Sequence, residues 1–394
     1  MWLEFNPWWE DEEWEEKDKH IREWKAQEIK WLPKWLSKIS LEPFSLNFVI
    51  GPRQVGKTTG LKLLIKNLIE SGVEAERITY LSCEPFVDAH HLRRVLEKYF
   101  EMREKEDILV LDEVTSIENW WKVIKGFIDL GKFENSVVIV SGSVSMKLKK
   151  HAELFPGRKG KGKKVYVLPL SFPEYLRVKN IPLKKKYEGI IRKSFEEYAA
   201  FGGFPAAVNR RTEFFSDFLD GLESDLSKID KSYKLAMQIL SQIITKAPSA
   251  LSYSAIGSEI QISHITVREY LEALEELFVT KAAYRKEGKN ILFRKEKKIF
   301  IRDPGIVRAI ASVFDLEIRK DFLYEWIVQE HLLRKFGEIY YYRNKYEIDC
   351  IAGDLKVEVK AGKPHRRYPR GVKILDEDEI PWFLIELFHR KMIN

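Results

Sequence analysis

A parallel α/β sheet covered by helices on both faces, followed by a helical stretch and a second, smaller α/β region, is the fold class that the sequence predicts. Three observations carry it. A glycine-rich turn lies between an apolar run, Leu46 to Ile50, and a helix-compatible run, LKLLIKNLIES. Strand-like and helix-like stretches then alternate as far as residue 150, the pattern of a parallel sheet with crossover helices. Near the C-terminus, IYYYRNKYEIDCIAGDLKVEVKAG reads as paired strands joined at the tight Gly353-Asp354 turn.

The turn is Gly51-Pro52-Arg53-Gln54-Val55-Gly56-Lys57-Thr58-Thr59, with the spacing G-x-x-x-x-G-K-[ST] of a phosphate loop. Polyphosphate is met there by backbone N–H groups, which side chains at the glycine positions would obstruct, and a helix N-terminus adds positive potential. Lys57 is expected to reach the β- and γ-phosphates and Thr58 to ligate a bridging Mg²⁺. A plain glycine turn before a lysine-rich helix is the alternative. Lys62 and Lys66, four apart, suit a solvated face, whereas Lys57 in the first turn opposes the helix dipole unless an anion is present.

ERITYLSCE, DILVLDEV and SVVIVSGS are the strands expected after the loop, with HHLRRVLEKYFEM and WWKVIKGFIDLG as helices between them. At the end of ILVLDE, Asp112 is placed to hold the Mg²⁺ water shell and Glu113 to polarise an attacking water; helix capping is the competing role. Ser141 and Ser143 suit either sensing of the γ-phosphate or capping. The Gly157 to Lys164 stretch reads as a mobile basic loop, with Arg158 either an arginine finger toward a neighbouring copy or part of a solvated charge run. A guanine-reading NKxD pattern fails at Glu347 in Asn344-Lys345-Tyr346-Glu347, which favours ATP over GTP.

A chain of 394 residues with 45% hydrophobic and 13% aromatic content suits two to four globular domains. No apolar run reaches the length of a membrane span and no leader pattern opens the chain, so a cytoplasmic protein without membrane attachment is expected. Two distant cysteines, Cys83 and Cys350, fit a reducing compartment. Net charge is +7 but unevenly placed: residues 1–30 carry ten acids against five bases, and residues 279–302 nine bases against two acids. A basic block of that kind is the footprint of a phosphate-backbone partner, DNA in the first instance.

The first forty residues form an acidic arm rich in tryptophan, helical from about Glu10 to Ile39, with Ile21, Trp24, Glu28, Trp31 and Trp35 near one face. Packing on the nucleotide core and docking of a partner both suit that stripe. Five regions result: the arm at 1–40, a P-loop core at 41–173, a helical lid at 174–231, a winged helix at 232–303 and a terminal domain at 304–394. The winged helix is read from three helices followed by the hairpin YRKEGKNILFRKEKKIFI. Ser263, His264, Thr266 and Arg268 open its longer helix. Arg285, Lys286, Lys289, Arg294, Lys295, Lys297 and Lys298 supply phosphate-directed charge. A protein-packing role is the alternative.

In the terminal domain a two-residue turn pairs 352 with 355, which sets Asp349 opposite Glu358, with Lys360 on the face of Glu358. Asp, then Glu-x-Lys, is the metal-dependent nuclease constellation PD-(D/E)xK, with Glu325 on the preceding helix a further acid; the metal would activate water and Lys360 would orient it. The same register faces Glu347 with Lys360, so a cross-strand ion pair is equally open.

With the phosphate loop, ILVLDE, LPLSFPEYL, GGFP, KKIFIRDPGI and EVK in view, the chain resembles the archaeal and bacterial AAA+-type ATPases that end in a winged helix and a nuclease-like domain. The resemblance implies an AAA+-like P-loop NTPase sheet with a helical lid, a winged helix and a restriction-endonuclease-like α/β domain. It also implies ATP and Mg²⁺ at Lys57, Thr58, Asp112 and Glu113. Asp349, Glu358 and Lys360 would sit in the terminal fold. One departure is visible: such domains carry a substantial helix after the Lys360 position, whereas here a basic loop leads to WFLIELF, read as a strand, and cleavage is thereby in doubt. The expected function is an ATPase that remodels or processes DNA, with a homo-oligomer as a candidate state. A nucleotide-operated switch with protein partners is the second reading, and a small-molecule kinase is disfavoured by the extra domains.

Overall fold

The computed structural model describes residues 2–102, 107–142, 154–344, 346–360 and 368–389. It divides into two compact units, Met1–Leu168 and Pro169–Asn394.

The first unit is built on five parallel strands: β1 (Ser45–Ile50), β2 (Ile78–Ser82), β3 (Ile108–Asp112), β4 (Val137–Gly142) and β5 (Lys164–Tyr166), in the order β2-β3-β4-β1-β5. β1 is buried at all six positions and β4 likewise, as strands covered on both faces must be. The helices α1 (Lys57–Glu70), α2 (Ala89–Met102) and α3 (Trp120–Asp129) are the crossovers. Because every strand runs the same way, the C-terminal ends of β1, β3 and β4 share one edge of the sheet, where open α/β sheets bind ligands.

Three expectations change here. The N-terminal arm is no continuous helix: it breaks into Trp14–Lys17 and Lys19–Lys25, the second capped by Asp18, which accepts from the Ile21 N–H at 3.0 Å. Pro33 then precedes a 3-10 turn at Lys34–Lys38. The arm nevertheless packs on this unit. Asn6 exchanges two hydrogen bonds with the backbone of Tyr80, at 3.1 and 2.6 Å, and the Trp8 and Trp9 indoles donate to the Ile78 carbonyl at 3.0 and 2.9 Å. β2 is the sheet's edge strand, so these contacts satisfy backbone groups that would otherwise invite pairing with another chain.

Lys62 is not on a solvated face. It is buried under the arm, 3.3 Å from Asp18, with its ammonium 3.8 Å from the Tyr80 ring and 4.8 Å from that of Trp8. Burial pulls its pKa below the usual lysine range. Lys66 pairs with Glu15 and Glu70, each at 2.6 Å.

The basic stretch before β5 is not a loose loop. The β1 amides of Leu46 and Phe48 donate to the carbonyls of Lys159 and Lys163 at 3.0 and 2.8 Å, and Lys161 N–H donates to Phe44 O at 2.9 Å. A Cβ at Gly162 would lie 2.0 Å from Leu46 O, so the glycines permit close approach to β1, and Lys161 pairs with Glu42 at 2.7 Å.

The second unit holds α4 (Phe172–Val178), α5 (Glu188–Phe201), α6 (Phe214–Ser227), α7 (Tyr233–Lys246), α8 (Tyr253–Ile260) and α9 (His264–Glu276). There follow β6 (Thr280–Glu287), β7 (Asn290–Ile291), β8 (Lys297–Ile301), α10 (Pro304–Phe314), α11 (Lys320–Phe336), β9 (Tyr340–Arg343), β10 (Glu347–Ala352), β11 (Leu355–Val359), β12 (Lys373–Leu375) and α12 (Ile380–His389). The strands form one seven-stranded sheet, β12-β11-β10-β9-β6-β7, with β8 also on β6. β6 and β9 join in parallel through Tyr284 and Tyr340. The boundary expected at 303/304 therefore falls inside a single hydrogen-bonded sheet.

WFLIELF is helical rather than a strand. Asp376 accepts from the Asp378 and Glu379 N–H groups at 3.0 Å and starts α12, with Pro381 in its first turn. Ile380, Phe383, Leu384, Ile385 and Leu387 are all buried, and an apolar run without a polar face has no period by which to tell helix from strand. Helix α10 was likewise not anticipated. Asp303 caps it, accepting from Gly305 N at 2.8 Å, and also accepts from Gly203 N at 2.9 Å, which brings the DPG and GGFP stretches together.

His331 on α11 anchors the start of α4. Its Nε2 accepts from the Phe172 N–H at 2.9 Å, so Nδ1 carries the proton and donates to Ile327 O at 2.7 Å. Burial, reinforced by Arg334, pushes the imidazole down to about 4, and it is neutral in the folded chain. A folded value below the usual 6.5 means that His331's contribution is intact above pH 6.5 and is lost as pH falls toward 4, to a limit of about 3 kcal/mol. His331→Gln keeps an acceptor without the titration. The stability gap between wild type and this variant, measured by urea unfolding, is expected to narrow by about 2–3 kcal/mol between pH 7 and pH 4.5; a gap independent of pH contradicts the assignment.

Candidate functional site

The phosphate loop leaves the end of β1, and α1 starts at Lys57 immediately after Gly56, whose φ of 86° lies in the left-handed region that glycine adopts freely. No side-chain hydrogen bond caps α1 at Gly56, and the helix directs its first-turn amides toward the loop. Lys57 is buried, its ammonium donating to the carbonyls of Gly51 and Pro52 at 2.9 and 2.8 Å, which folds the loop around a positive charge. A Cβ on Gly51 would lie 2.0 Å from Val167 O, so this glycine is required by packing as well. Arg53, Gln54, Val55, Thr58 and Thr59 complete the loop; Gln54 has a φ of 58° and is exposed, whereas Val55 is buried.

Asp112 ends β3 with its side chain buried. The Tyr80 hydroxyl on β2 donates to its Oδ2 at 2.8 Å, the Ser141 hydroxyl on β4 donates to its Oδ1, and Glu113 N–H lies 3.1 Å from the same oxygen. Hydroxyls from the strands on both sides thus fix the carboxylate at the edge where the loop begins. Burial, and then the Asp112 charge, hold the Tyr80 phenol well above its usual range, so it remains the donor. Glu113 follows at a φ of 54°, a conformation that costs a non-glycine residue energy and that occurs where a side chain must be aimed. Tyr80 was not legible as a partner of Asp112; the strand pairing that sets Ser82 beside Asp112 is what brings it there.

The donor set fits a triphosphate with magnesium: uncapped amides, a buried ammonium, a threonine hydroxyl at the helix start and a positioned carboxylate. Ser141 is committed to Asp112, and Ser143 lies outside the described residues. Arg158 is bidentate with Asp129 at the end of α3, at 2.7 and 3.4 Å, so an arginine-finger role would require that pair to open.

In the second unit the expected register holds: Ala352 pairs with Leu355 and Cys350 with Val357, which sets Asp349 against Glu358. Asp349 N–H donates to Glu358 Oε2 at 3.2 Å, and Val359 N–H to Asp349 Oδ2 at 2.9 Å. Lys360 and the Tyr368 hydroxyl, the latter at 2.8 Å, both donate to Glu358 Oε1. The cross-strand pair of Glu347 with Lys360 is not formed. Glu347 instead joins Glu325 and Asp349 around Lys298, at 2.9, 2.9 and 2.6 Å. Burial opposes the charge of Lys298, yet these carboxylates hold its ammonium well above the usual range. Burial and the Asp349 charge push Glu325 well up. Gln329 supports Glu325 through Nε2 at 2.9 Å.

Lys298 therefore leaves the set of DNA-facing residues, being 3% exposed. Lys297 leaves it too: it is buried over the Tyr253 ring at 4.4 Å and donates to Lys295 O at 2.8 Å. Both lie on β8, which is buried throughout because β6 and the helices enclose it. Arg285 pairs with Glu287, and Lys286 lies over the Tyr340 ring at 4.4 Å. Exposed charge remains at Lys289, Arg294 and Lys295 on the hairpin, beside the 63% exposed Phe293, and at Arg268 on α9. Ser263 caps α9 by accepting from Thr266 N–H at 3.0 Å, and His264 is exposed beside it.

The sheet order and the loop define a P-loop α/β domain in residues 41–168. Residues 44–176 match the family described as AAA domain, and residues 192–317 match a domain of unknown function. A Haemophilus influenzae protein described as uncharacterised is 25% identical over 282 residues, 67% of this chain and 68% of that protein. An uncharacterised Methanocaldococcus jannaschii protein is 26% identical over 264 residues, 61% of this chain and 57% of that one, so the chain spans little more than half of this relative. Among solved structures, the Aeropyrum pernix ORC1 protein in complex with DNA aligns at a TM-score of 0.36 and 11% identity over 68% of this chain and 86% of that one. The Thermotoga maritima RuvB Holliday junction branch migration motor aligns at 0.35 and 13% over 78% and 96%. Among the described residues no helix is long and apolar enough to cross a membrane.

Removing one hydrogen bond to a buried charged carboxylate costs about 1.5–3 kcal/mol. Tyr80→Phe is accordingly expected to raise the Mg²⁺ concentration for half-maximal ATP turnover about tenfold, read from a Mg²⁺ titration at fixed ATP; an unchanged titration contradicts the role given to Tyr80.

Proposed function

We propose that the chain is a Mg²⁺-dependent ATPase that acts on DNA through the helices and hairpin of its second unit, which we read as a winged helix. The observation that supports this most is the buried Asp112, held between Tyr80 and Ser141 at the sheet edge from which the uncapped phosphate loop departs. Loop amides and the Lys57 ammonium bind the phosphates and neutralise the charge that develops on transfer. Thr58 and Asp112 are the side chains that would hold magnesium, which when bound would offset the phosphate charge. Glu113, in its left-handed conformation beside Asp112, orients the attacking water and accepts its proton.

Arg268, Lys289, Arg294 and Lys295, exposed cations, would meet phosphates and supply charge rather than base reading. Lys286, partly exposed, is their neighbour.

Two experiments test the reading. Lys57→Ala is expected to lose ATP binding, while Glu113→Gln keeps binding and loses turnover by about 10²-fold or more; full turnover in either removes the ATPase assignment. Affinity for duplex and branched DNA, measured against salt, is expected to fall steeply. Replacing Lys289, Arg294 and Lys295 by alanine should reduce the logarithmic slope by about 3. An absence of DNA binding at low salt would favour a nucleotide-operated switch with protein partners.

A further inference from the structure

The terminal sheet carries the residues of a metal-dependent nuclease, yet their arrangement differs from one in a specific way. An ammonium has three N–H donors, and Lys298 meets three carboxylates, Glu325, Glu347 and Asp349, within 2.9 Å. These come from α11 and β10, while Lys298 arrives from β8, paired through β6 by the register of Ala283 with Lys298. Asp349 Oδ2 and both oxygens of Glu358 are engaged as well. Asp349 Oδ2 takes the Val359 amide, and Glu358 spends Oε2 on the Asp349 amide and Oε1 on Lys360 and Tyr368.

We propose that Lys298 stands in place of the divalent cation, so that the terminal domain is a nuclease-like scaffold locked by an internal ammonium and does not cleave DNA with a metal-activated water. A cation entering beside Asp349 would meet the positive charge already there and would have to displace a buried ammonium from its three carboxylates. The exchange also accounts for the continuity of the sheet: the lysine ties the hairpin strand β8 to α11 and β10, so the hairpin is anchored in the terminal domain rather than hinged on it. The inference stands independently of the ATPase reading, because it concerns nucleotide-free protein.

The test uses the full chain without nucleotide. Mn²⁺ titration followed by electron paramagnetic resonance, with and without duplex DNA, is expected to show no site sensitive to Asp349→Asn, and labelled linear and branched DNA is expected to remain intact with Mg²⁺ or Mn²⁺. One Mn²⁺ per chain that disappears in Asp349→Asn, or cleavage abolished by it, overturns the proposal. Lys298→Met leaves the carboxylates unneutralised and is expected to lower the unfolding temperature by several degrees or to prevent folding. Adding Glu325→Gln and Asp349→Asn to Lys298→Met is expected to restore much of the loss. Wild-type stability in Lys298→Met, or a triple variant no more stable than the single one, overturns it.

Discussion

A carboxylate held between two hydroxyls is the constraint on which the nucleotide site depends. Asp112 is buried, and a charge in that position persists only where donors replace its water. Tyr80 and Ser141 supply them from the neighbouring strands, and this is possible because all the strands run in one direction and end at one edge. The arrangement extends outward. The Tyr80 ring lies under the Lys62 ammonium, which α1 delivers and Asp18 of the N-terminal arm neutralises. Loop helix, arm and the Asp112 carboxylate are thereby coupled through one tyrosine, and the acidic, tryptophan-rich arm is part of the first unit rather than an appendage.

Lysine does different work in different parts of the chain. Lys57 fills a phosphate loop, Lys62 fills a junction between arm and sheet, and Lys298 fills a carboxylate cluster; each is buried, with charge compensated by carbonyls, an aspartate or three acids. A tally of basic residues in 279–302 counts Lys297 and Lys298 toward a phosphate-binding surface, whereas the surface charge rests on Lys289, Arg294, Lys295 and the neighbouring Arg268. The second unit's sheet runs unbroken from β12 to β6 through the pairing of β6 with β9.

Much of the first unit was legible because its signals are local. The loop spacing, the apolar strand ending in Asp112 and the alternation of strands and helices each occupy a few consecutive residues. The hairpin register at Gly353-Asp354 was legible for the same reason, since a two-residue turn determines the pairing that follows. What failed to show was non-local. Tyr80 meets Asp112 across 32 residues and Lys298 meets Asp349 across 51, and neither pairing has a spacing of its own. Helix α12 escaped because full burial erased its polar face, and the basic stretch at 157–163 looked mobile because glycines that permit close backbone approach resemble glycines that loosen a chain.

The central claim is that a magnesium nucleoside triphosphate binds where β1, β3 and β4 end. Hydrogen exchange of backbone amides with and without ATP and Mg²⁺ tests it most directly. Protection of Gly51 to Thr59 and of the Asp112–Glu113 segment on adding nucleotide is the predicted result; unchanged exchange throughout those segments, or protection confined to other parts of the chain, would contradict the account.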